Sequence, residues 1–364
     1  MTAFSRLFSA AARSFRSAEP SDLALFAAAG AAAFVGARRF MRRRASPGER
    51  ALVLGGSRGL GLLLAHELLS RGTRVVIAAR DESELAEAVA ALDRASPVQG
   101  GVSAVRCNVE DESEVRRAVE VARERLGGID VLVNNAGLIQ VGPLDAMRVE
   151  DFEQALRDHL RGPLVGSLAV ADEMRARGSG HIINISSIGG LVPIPHLLPY
   201  VASKFALTGL SQGLHVELAK DGVKVTTVCP GLMRTGSSYR ATFKSQHKSE
   251  HAWFALGGAT PLTSMSARRA AREIIDAAQR GAALVVLSWQ AKLLATLHAL
   301  APGTTLRVIG AVNRWLPAFG GIGQHALEGR YSWSRWAPSW ATRLNDRAAI
   351  DYGELGSPRL NGGE

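Results

Sequence analysis

Cysteine is almost missing from this chain: 364 residues carry 2, Cys107 and Cys229, each closing an apolar run that reads as a strand. Two thiols so placed build neither a disulfide framework nor a metal site, which favours a reducing compartment and leaves metal out of the expected chemistry. Tyrosine and lysine are scarce too, at 4 and 6. Charged residues make up 21% of the chain against 47% hydrophobic, the balance of a globular protein with a substantial core. No internal repeat or low-complexity insert interrupts it. Acid is short relative to base, and the net charge is +10, but the surplus is local. Residues 1–44 hold eight arginines against Glu19 and Asp22. Little excess remains for the rest, so a nucleic-acid-binding face is not expected on the folded body.

The basic N-terminal segment contains "LALFAAAGAAAFVGA", Leu23 to Ala37, followed by "RRFMRRR". As a helix this run covers ~22 Å, short of a ~30 Å hydrocarbon core unless flanking arginines snorkel and Phe40 and Met41 are included. It reads first as a membrane anchor through residues 23–41, with the arginines keeping the body on the cytoplasmic side. A peripheral or packed helix is the second reading. A targeting peptide is the third, because residues 1–16 are rich in Arg and Ser and free of acid, as in mitochondrial leaders. A soluble cytoplasmic or a mitochondrial protein are the corresponding alternatives.

From residue 48 the pattern becomes strand, turn, helix, repeated. Short apolar runs such as "ALVLGG", "RVVIAAR" and "VKVTTVCPG" alternate with helical ones such as "ESELAEAVAALDRA" and "ESEVRRAVEVARERLG". Seven strands fit between residues 48 and 288. Strict alternation predicts an α/β fold, Rossmann-like, with a doubly wound seven-stranded parallel sheet and helices on both faces. Residues 289–364 form a separate extension. Two amphipathic helices, "WQAKLLATLHAL" and "TTLRVIGAVNRWLP", lead to a loose polar tail, and five of six tryptophans lie at or after Trp289. These could pack on the core or a dimer interface, rest on a membrane, or roof an apolar cavity.

Two stretches carry chemistry. In "PYVASK" Tyr200 and Lys204 stand four apart, neighbours on one helix face, where a lysine charge is expected to lower the phenol pKa towards neutrality. That pair makes Tyr200 a candidate proton donor or acceptor. In "LGGSRGLG" glycines 55, 59 and 61 open a helix directly after the first strand, so that backbone N–H groups can approach a pyrophosphate.

With "NNAG" at 134–137, Ser187 thirteen residues before Tyr200, and "PGLMRT" at 230–235, the chain resembles the short-chain dehydrogenase/reductase family over about residues 50–288. The resemblance implies that Tyr200 exchanges the proton of a carbonyl–alcohol pair. Ser187 would hold the same oxygen, and Lys204 would bind the nicotinamide ribose. It also implies cofactor contacts by Gly55, Ser57, Arg58, Gly59, Leu60 and Gly61, by Arg80, by Asn108 and Val109, by Asn135, Ala136 and Gly137, and by Pro230, Gly231 and Thr235.

Cofactor choice is read at the end of the second strand, where an acid would bind the ribose of NAD. Here stand Ala79 and Arg80, with Arg58 in the glycine turn, and two guanidiniums suit the extra phosphate of NADP. Asp81 comes one place late and reads as a helix cap. Three residues depart from the family pattern. Leu54 replaces a threonine, Asn108 stands where an aspartate often meets adenine, and His159 stands where an asparagine usually supports a water relay to Lys204. His159 is either a neutral replacement or a group that titrates in that relay.

The loop "IGGLVPIPHLLP" is apolar, and residues 236–263 read as a mobile lid offering Phe243, Trp253 and Phe254. The expected function is an NADP-dependent carbonyl reductase or alcohol dehydrogenase acting on a lipophilic ketone, aldehyde, sterol or retinoid, as a homo-oligomer. The other class is a catalytically weak dinucleotide-binding sensor or membrane-bound interaction protein. The complete Ser187, Tyr200, Lys204 set favours the enzyme.

Overall fold

The computed structural model describes residues 49–97 and 100–360. The apolar run of residues 23–41 lies outside them. Among the described residues no helix is long and apolar enough to cross a membrane.

Seven strands form one parallel sheet: β1 (Arg50–Leu54), β2 (Arg74–Ala79), β3 (Val102–Arg106), β4 (Val131–Asn134), β5 (Gly180–Ile185), β6 (Val223–Cys229) and β7 (Leu284–Val286). Their order is β7-β6-β5-β4-β1-β2-β3. The apolar centre of β1 is buried throughout, with Ala51 to Leu54 in register with Val75 to Ala78 of β2 and Val131 to Asn134 of β4. Continuous apolar runs of this kind are what a strand covered on both faces requires. The chain winds outward from β1 to one edge and from β4 to the other. The crevice beyond the carboxyl ends of β1 and β4 is the switch point at which open α/β sheets bind ligands.

Helices cover both faces. α1 (Gly59–Ser70) and α2 (Glu82–Ala95) pack on one side with α8 (Ala267–Gln279), burying leucines such as Leu62, Leu64 and Leu92 and the alanine–isoleucine stripe of α8. α3 (Glu112–Leu126) and α5 (Gly162–Arg177) cover the other, with Val115, Val119, Val170 and Met174 inward. Local signals set the ends. Asp81 caps α2 by accepting from the backbone N–H groups of Ser83 (2.8 Å) and Glu84 (3.0 Å). Asp111 caps α3 in the same way, and Gly127, at φ 79°, terminates it.

Four sequence expectations change. The long helix preceding β5 is not uniform: α4 (Val149–Leu156) joins α5 through a π-turn at Arg157–Arg161, which carries His159. The stretch read as a mobile lid is woven in. Its strand Thr242–Phe243 pairs with Gln140–Val141 and Leu327–Glu328, and its helix α7 (His247–Gly257) is tied to the loop before Tyr200. There Glu250, fully buried, accepts from Trp253 Nε1 (2.7 Å) and pairs with His196 Nδ1 (2.9 Å).

The described part of the tail is not loose: α11 (Arg343–Asp351) and the residues after it, as far as residue 360, seat Ala348, Tyr352 and Leu360 in the core, and residues 361–364 lie outside the described residues. Nor do the late tryptophans pack on the core. Trp289, Trp315, Trp333, Trp336 and Trp340 are all exposed, Trp340 by 91%. The hairpin of α9 (Trp289–Leu300) and α10 (Pro302–Asn313) buries only Ala291.

Candidate functional site

A cavity of about 630 Å³ opens at the switch point. One end is the glycine turn. Gly55 has φ +80°, and a Cβ there would meet Ala136 at 2.6 Å. A Cβ on Gly61 would collide with the Gly55 carbonyl, so only glycine lets turn and helix close up. Asn135 Nδ2 donates to that carbonyl (2.9 Å), and the backbone N–H groups of Asn135 (3.0 Å) and Ala136 (2.9 Å) donate to Leu54 O. The turn is tied by this amide and by backbone bonds, while the Leu54 side chain joins the core.

Most of the expected cofactor residues line this cavity: Gly55, Ser57, Arg58, Gly59, Leu60, Arg80, Val109, Asn135, Ala136, Gly137, Pro230, Gly231 and Thr235. Gly61 supports the turn from behind. Asn108 is not among the residues that line the cavity. Cys107 and Val109 line the cavity, while Asn108 between them faces a separate groove beside Asp111 and Arg116. Its Oδ1 accepts from the Glu110 N–H (3.3 Å), a bond that shapes the turn into α3.

Towards the other end stand Ser187, Tyr200, Lys204 and His159. Ser187 follows β5, and its Oγ accepts from the Gly189 N–H (3.0 Å) at the start of a single 3-10 turn. Tyr200 and Lys204 lie one turn apart on α6 (Leu198–Leu218), with Lys204 Nζ 5.6 Å from the Tyr200 ring centroid. The ammonium is buried and donates to Ile185 O (2.8 Å).

The lowered phenol pKa expected from sequence is not found. Burial pushes Tyr200 up to about 12, with a hydrogen bond to Ser187 working the other way. Burial pushes Lys204 down to about 8. Desolvation penalises the charged form of each, and the lysine is fastened to a carbonyl, so its charge does not offset the cost at the phenol. Tyr200 is therefore held protonated, the form that gives a proton to a carbonyl oxygen.

His159 is buried in the π-turn, its ring edge-on to Tyr200 at 5.3 Å between centroids. Its Nδ1 meets Ser203 Oγ (2.8 Å), whose hydroxyl also reaches Tyr200 O (2.9 Å). Burial first, then Lys204, drives its pKa well below the usual value, so the ring is neutral. A side chain on Gly137 would strike this imidazole.

Sequence reasoning missed several wall residues: Asp158, Glu84, Arg240, Asn345 and Glu354. Burial, with Glu110 adding to it, pushes Asp158 up to about 7. The others arrive from α2, the segment after β6 and the C-terminal extension, and no local motif marks them. Of the three aromatics expected over the substrate, only Phe254 lines the cavity. Phe243 is fully buried behind it, and Trp253 is held by Glu250. Both cysteines are free and buried thiols, pushed up by burial to about 12 for Cys107 and about 11 for Cys229. Among the described residues no cluster could hold a metal.

Known proteins resemble this chain in the same region. A putative ketoacyl reductase of granaticin polyketide synthase, from Streptomyces violaceoruber, is 37% identical over 203 residues, 54% of this chain and 73% of that protein. The 2-(R)-hydroxypropyl-CoM dehydrogenase of Xanthobacter autotrophicus is 37% identical over 188 residues, 51% and 74% respectively. Among solved structures, an actinorhodin polyketide ketoreductase variant with NADPH superimposes with a TM-score of 0.58 at 30% identity, covering 66% of this chain and 95% of that one. A short-chain dehydrogenase from Streptomyces avermitilis reaches a TM-score of 0.63 at 28% identity, covering 74% and 99%. The sequence profile of the short chain dehydrogenases matches residues 49–245, more than half of the chain, and the chain belongs to that family of oxidoreductases.

Proposed function

We propose that this protein is an NADP(H)-dependent oxidoreductase that interconverts a carbonyl and an alcohol on a lipophilic substrate. The observation that carries the reading is one cavity with a glycine cradle at one end and a protonated Tyr200 beside Ser187 at the other. The cradle that any Cβ would fill, the N-terminus of α1 and the two arginines fit a nicotinamide dinucleotide. That group, when bound, supplies or accepts the hydride. Ser187 Oγ orients the substrate oxygen, and Tyr200 gives it a proton in reduction or takes one in oxidation. Lys204 holds the wall beneath them, and Ser203 links the Tyr200 carbonyl to neutral His159. Ile139, Ile188, Ile194, Leu197, Leu232 and Phe254 make the substrate end apolar, which supports a lipophilic ketone or aldehyde. NADPH oxidation, followed by absorbance over a panel of such compounds, tests the reading. No turnover with any of them, alongside firm NADPH binding, would favour a sensor.

Membrane association belongs to the same reading. The α9–α10 hairpin exposes Trp289, Leu293, Leu297, Leu300, Val308 and Trp315. No acid occurs between Asp276 and Glu328, whereas Arg280, Lys292, Arg307 and Arg314 do. An apolar, tryptophan-bearing surface with basic residues alone suits an anionic bilayer. Ala291, Leu294 and Ile309 pack on Ile188 and Val192 beside the substrate wall, which would place the cavity mouth near the lipid. Cosedimentation with phosphatidylglycerol vesicles should be lost when Trp289, Leu293 and Leu297 become Glu. Binding that persists, or a loss that tracks dimer dissociation in light scattering, would reject the hairpin as a lipid contact.

A further inference from the structure

The glycine turn meets an unexpected neighbour from the far end of the chain. α11 and the residues after it dock so that the Gly59 N–H donates to Tyr352 O (2.8 Å), while Arg240 Nε donates to Glu354 O (3.0 Å). This fixes the Glu354 side chain against the turn, its Oε1 2.7 Å from where a Cβ on Gly59 would stand. Glu354 is 5% exposed and forms part of the cavity wall. Its Oε2 faces Arg58 Nε at 3.2 Å but has no hydrogen-bond partner.

Arg58 is shared. Its Nη1 donates to Glu84 Oε2 (2.6 Å), and Glu84 Oε1 accepts from Arg240 Nη2 (2.9 Å). Four charged groups thus face one another from four parts of the chain: Arg58 from the turn, Glu84 from α2, Arg240 from the segment after β6, and Glu354. Their charges balance. The guanidinium that the sequence offers to a cofactor phosphate is already taken by two carboxylates, and Arg80 lies 3.6 Å from Glu110. A phosphate entering this cluster adds up to about two negative charges to groups whose charges already balance, and the cation beside it, Arg80, is only loosely paired.

We propose that Glu354 is a specificity-determining residue of the dinucleotide site. Its carboxylate competes with a cofactor phosphate for Arg58, so the phosphorylated dinucleotide binds with a proton carried onto Glu354. The unphosphorylated dinucleotide binds beside the ionised form, whose Oε2, paired with Arg58 but without a hydrogen bond, can accept from a ribose hydroxyl. Of the two acids Glu354 is the one to yield, because Glu84 keeps hydrogen bonds from Ser57, Arg58 and Arg240. Burial already pushes Glu354 up to about 7, with Arg58 and Arg240 pulling it down and Glu84 pushing it further up. A phosphate alongside raises it again. Binding therefore draws in a proton above about pH 7, and affinity for the phosphorylated form falls as pH rises, by up to about tenfold per unit.

The inference rests on the cavity being a dinucleotide site, and the experiment separates the two. Dissociation constants for NADPH and NADH are measured by nucleotide fluorescence from about pH 6 to about pH 8.5, for the wild type and Glu354→Gln. Any titration of the phosphate or of Lys204 is common to both proteins. In the wild type the preference for NADPH should decline above about pH 7; in the variant it should stay level and exceed the wild-type value at high pH. Equal pH dependence in both proteins overturns the role of Glu354 and leaves the functional reading standing. Failure of the wild type to bind either dinucleotide overturns both. Should the variant not fold, calorimetry of the wild type near pH 8 in buffers of different ionisation heat counts the protons. More uptake with NADPH than with NADH supports the proposal, and equal uptake overturns it.

Discussion

A buried phenol is useful because it keeps its proton until a substrate oxygen asks for it. Tyr200→Phe removes that proton and little else, so turnover should fall by about 10²–10⁴ while NADPH binding is retained; stopped-flow turnover and fluorescence titration measure the two separately. His159 makes the opposite prediction. Its pKa lies well below the ordinary value, so it does not titrate near neutrality. His159→Asn should keep activity, with a rate profile superimposable on the wild type between about pH 6 and about pH 9. A shifted low-pH limb would show that the imidazole does carry a proton there. Tyr200 and Lys204 were legible in sequence because their spacing is local and both residue types are scarce, whereas Ser187, one serine among many, was placed by the family resemblance. The ionisation of the pair was not legible, since sequence adjacency shows that a lysine is near but not that desolvation outweighs its charge.

At the level of elements, alternation and caps were the readable part. α2 and α3 follow their predicted extents because Asp81, Asp111 and Gly127 mark their ends locally. The π-turn at Arg157–Arg161 and the pinning of α7 were not readable, because both depend on partners distant in sequence. His196, at φ 61°, and Glu250 are 54 residues apart, yet their buried pair ties α7 to the loop carrying Leu197 and Tyr200. Glu250→Ala leaves the His196 ring and the Trp253 N–H without their partner and should cost about 1–3 kcal/mol for each group so stranded, read from urea unfolding. The same variant should raise KM for an apolar carbonyl more than it changes NADPH affinity, because the loosened elements border the substrate end alone. An unchanged midpoint would show that the pair is solvated or dispensable.

For the molecule as a whole, histidines held neutral by burial connect fold to pH. Burial, and then Lys224, pushes His181 down to about 3. The unfolded chain takes up a proton there below its ordinary pKa of about 6.5, whereas the folded chain does not until about 3. This group's contribution to stability is therefore complete above about pH 6.5 and shrinks by up to about 1.4 kcal/mol for each unit below it. In His181→Gln that slope is absent, so urea midpoints of the two proteins should converge or cross as the pH falls from about 7 to about 4. Parallel midpoints would show that the half-buried ring, beside Thr226 Oγ1, takes up its proton as readily in the folded chain as in the unfolded one.

The docking of Tyr352 and Glu354 on the turn that begins at Gly55 has one more consequence. Nearly three hundred residues separate the first and last walls of the cofactor cavity, so the cavity is closed only by the most non-local contacts in the fold. During synthesis the pocket lacks one side until residues 352–354 have left the ribosome, because the Tyr352 carbonyl and the Glu354 side chain complete the wall at the glycine turn.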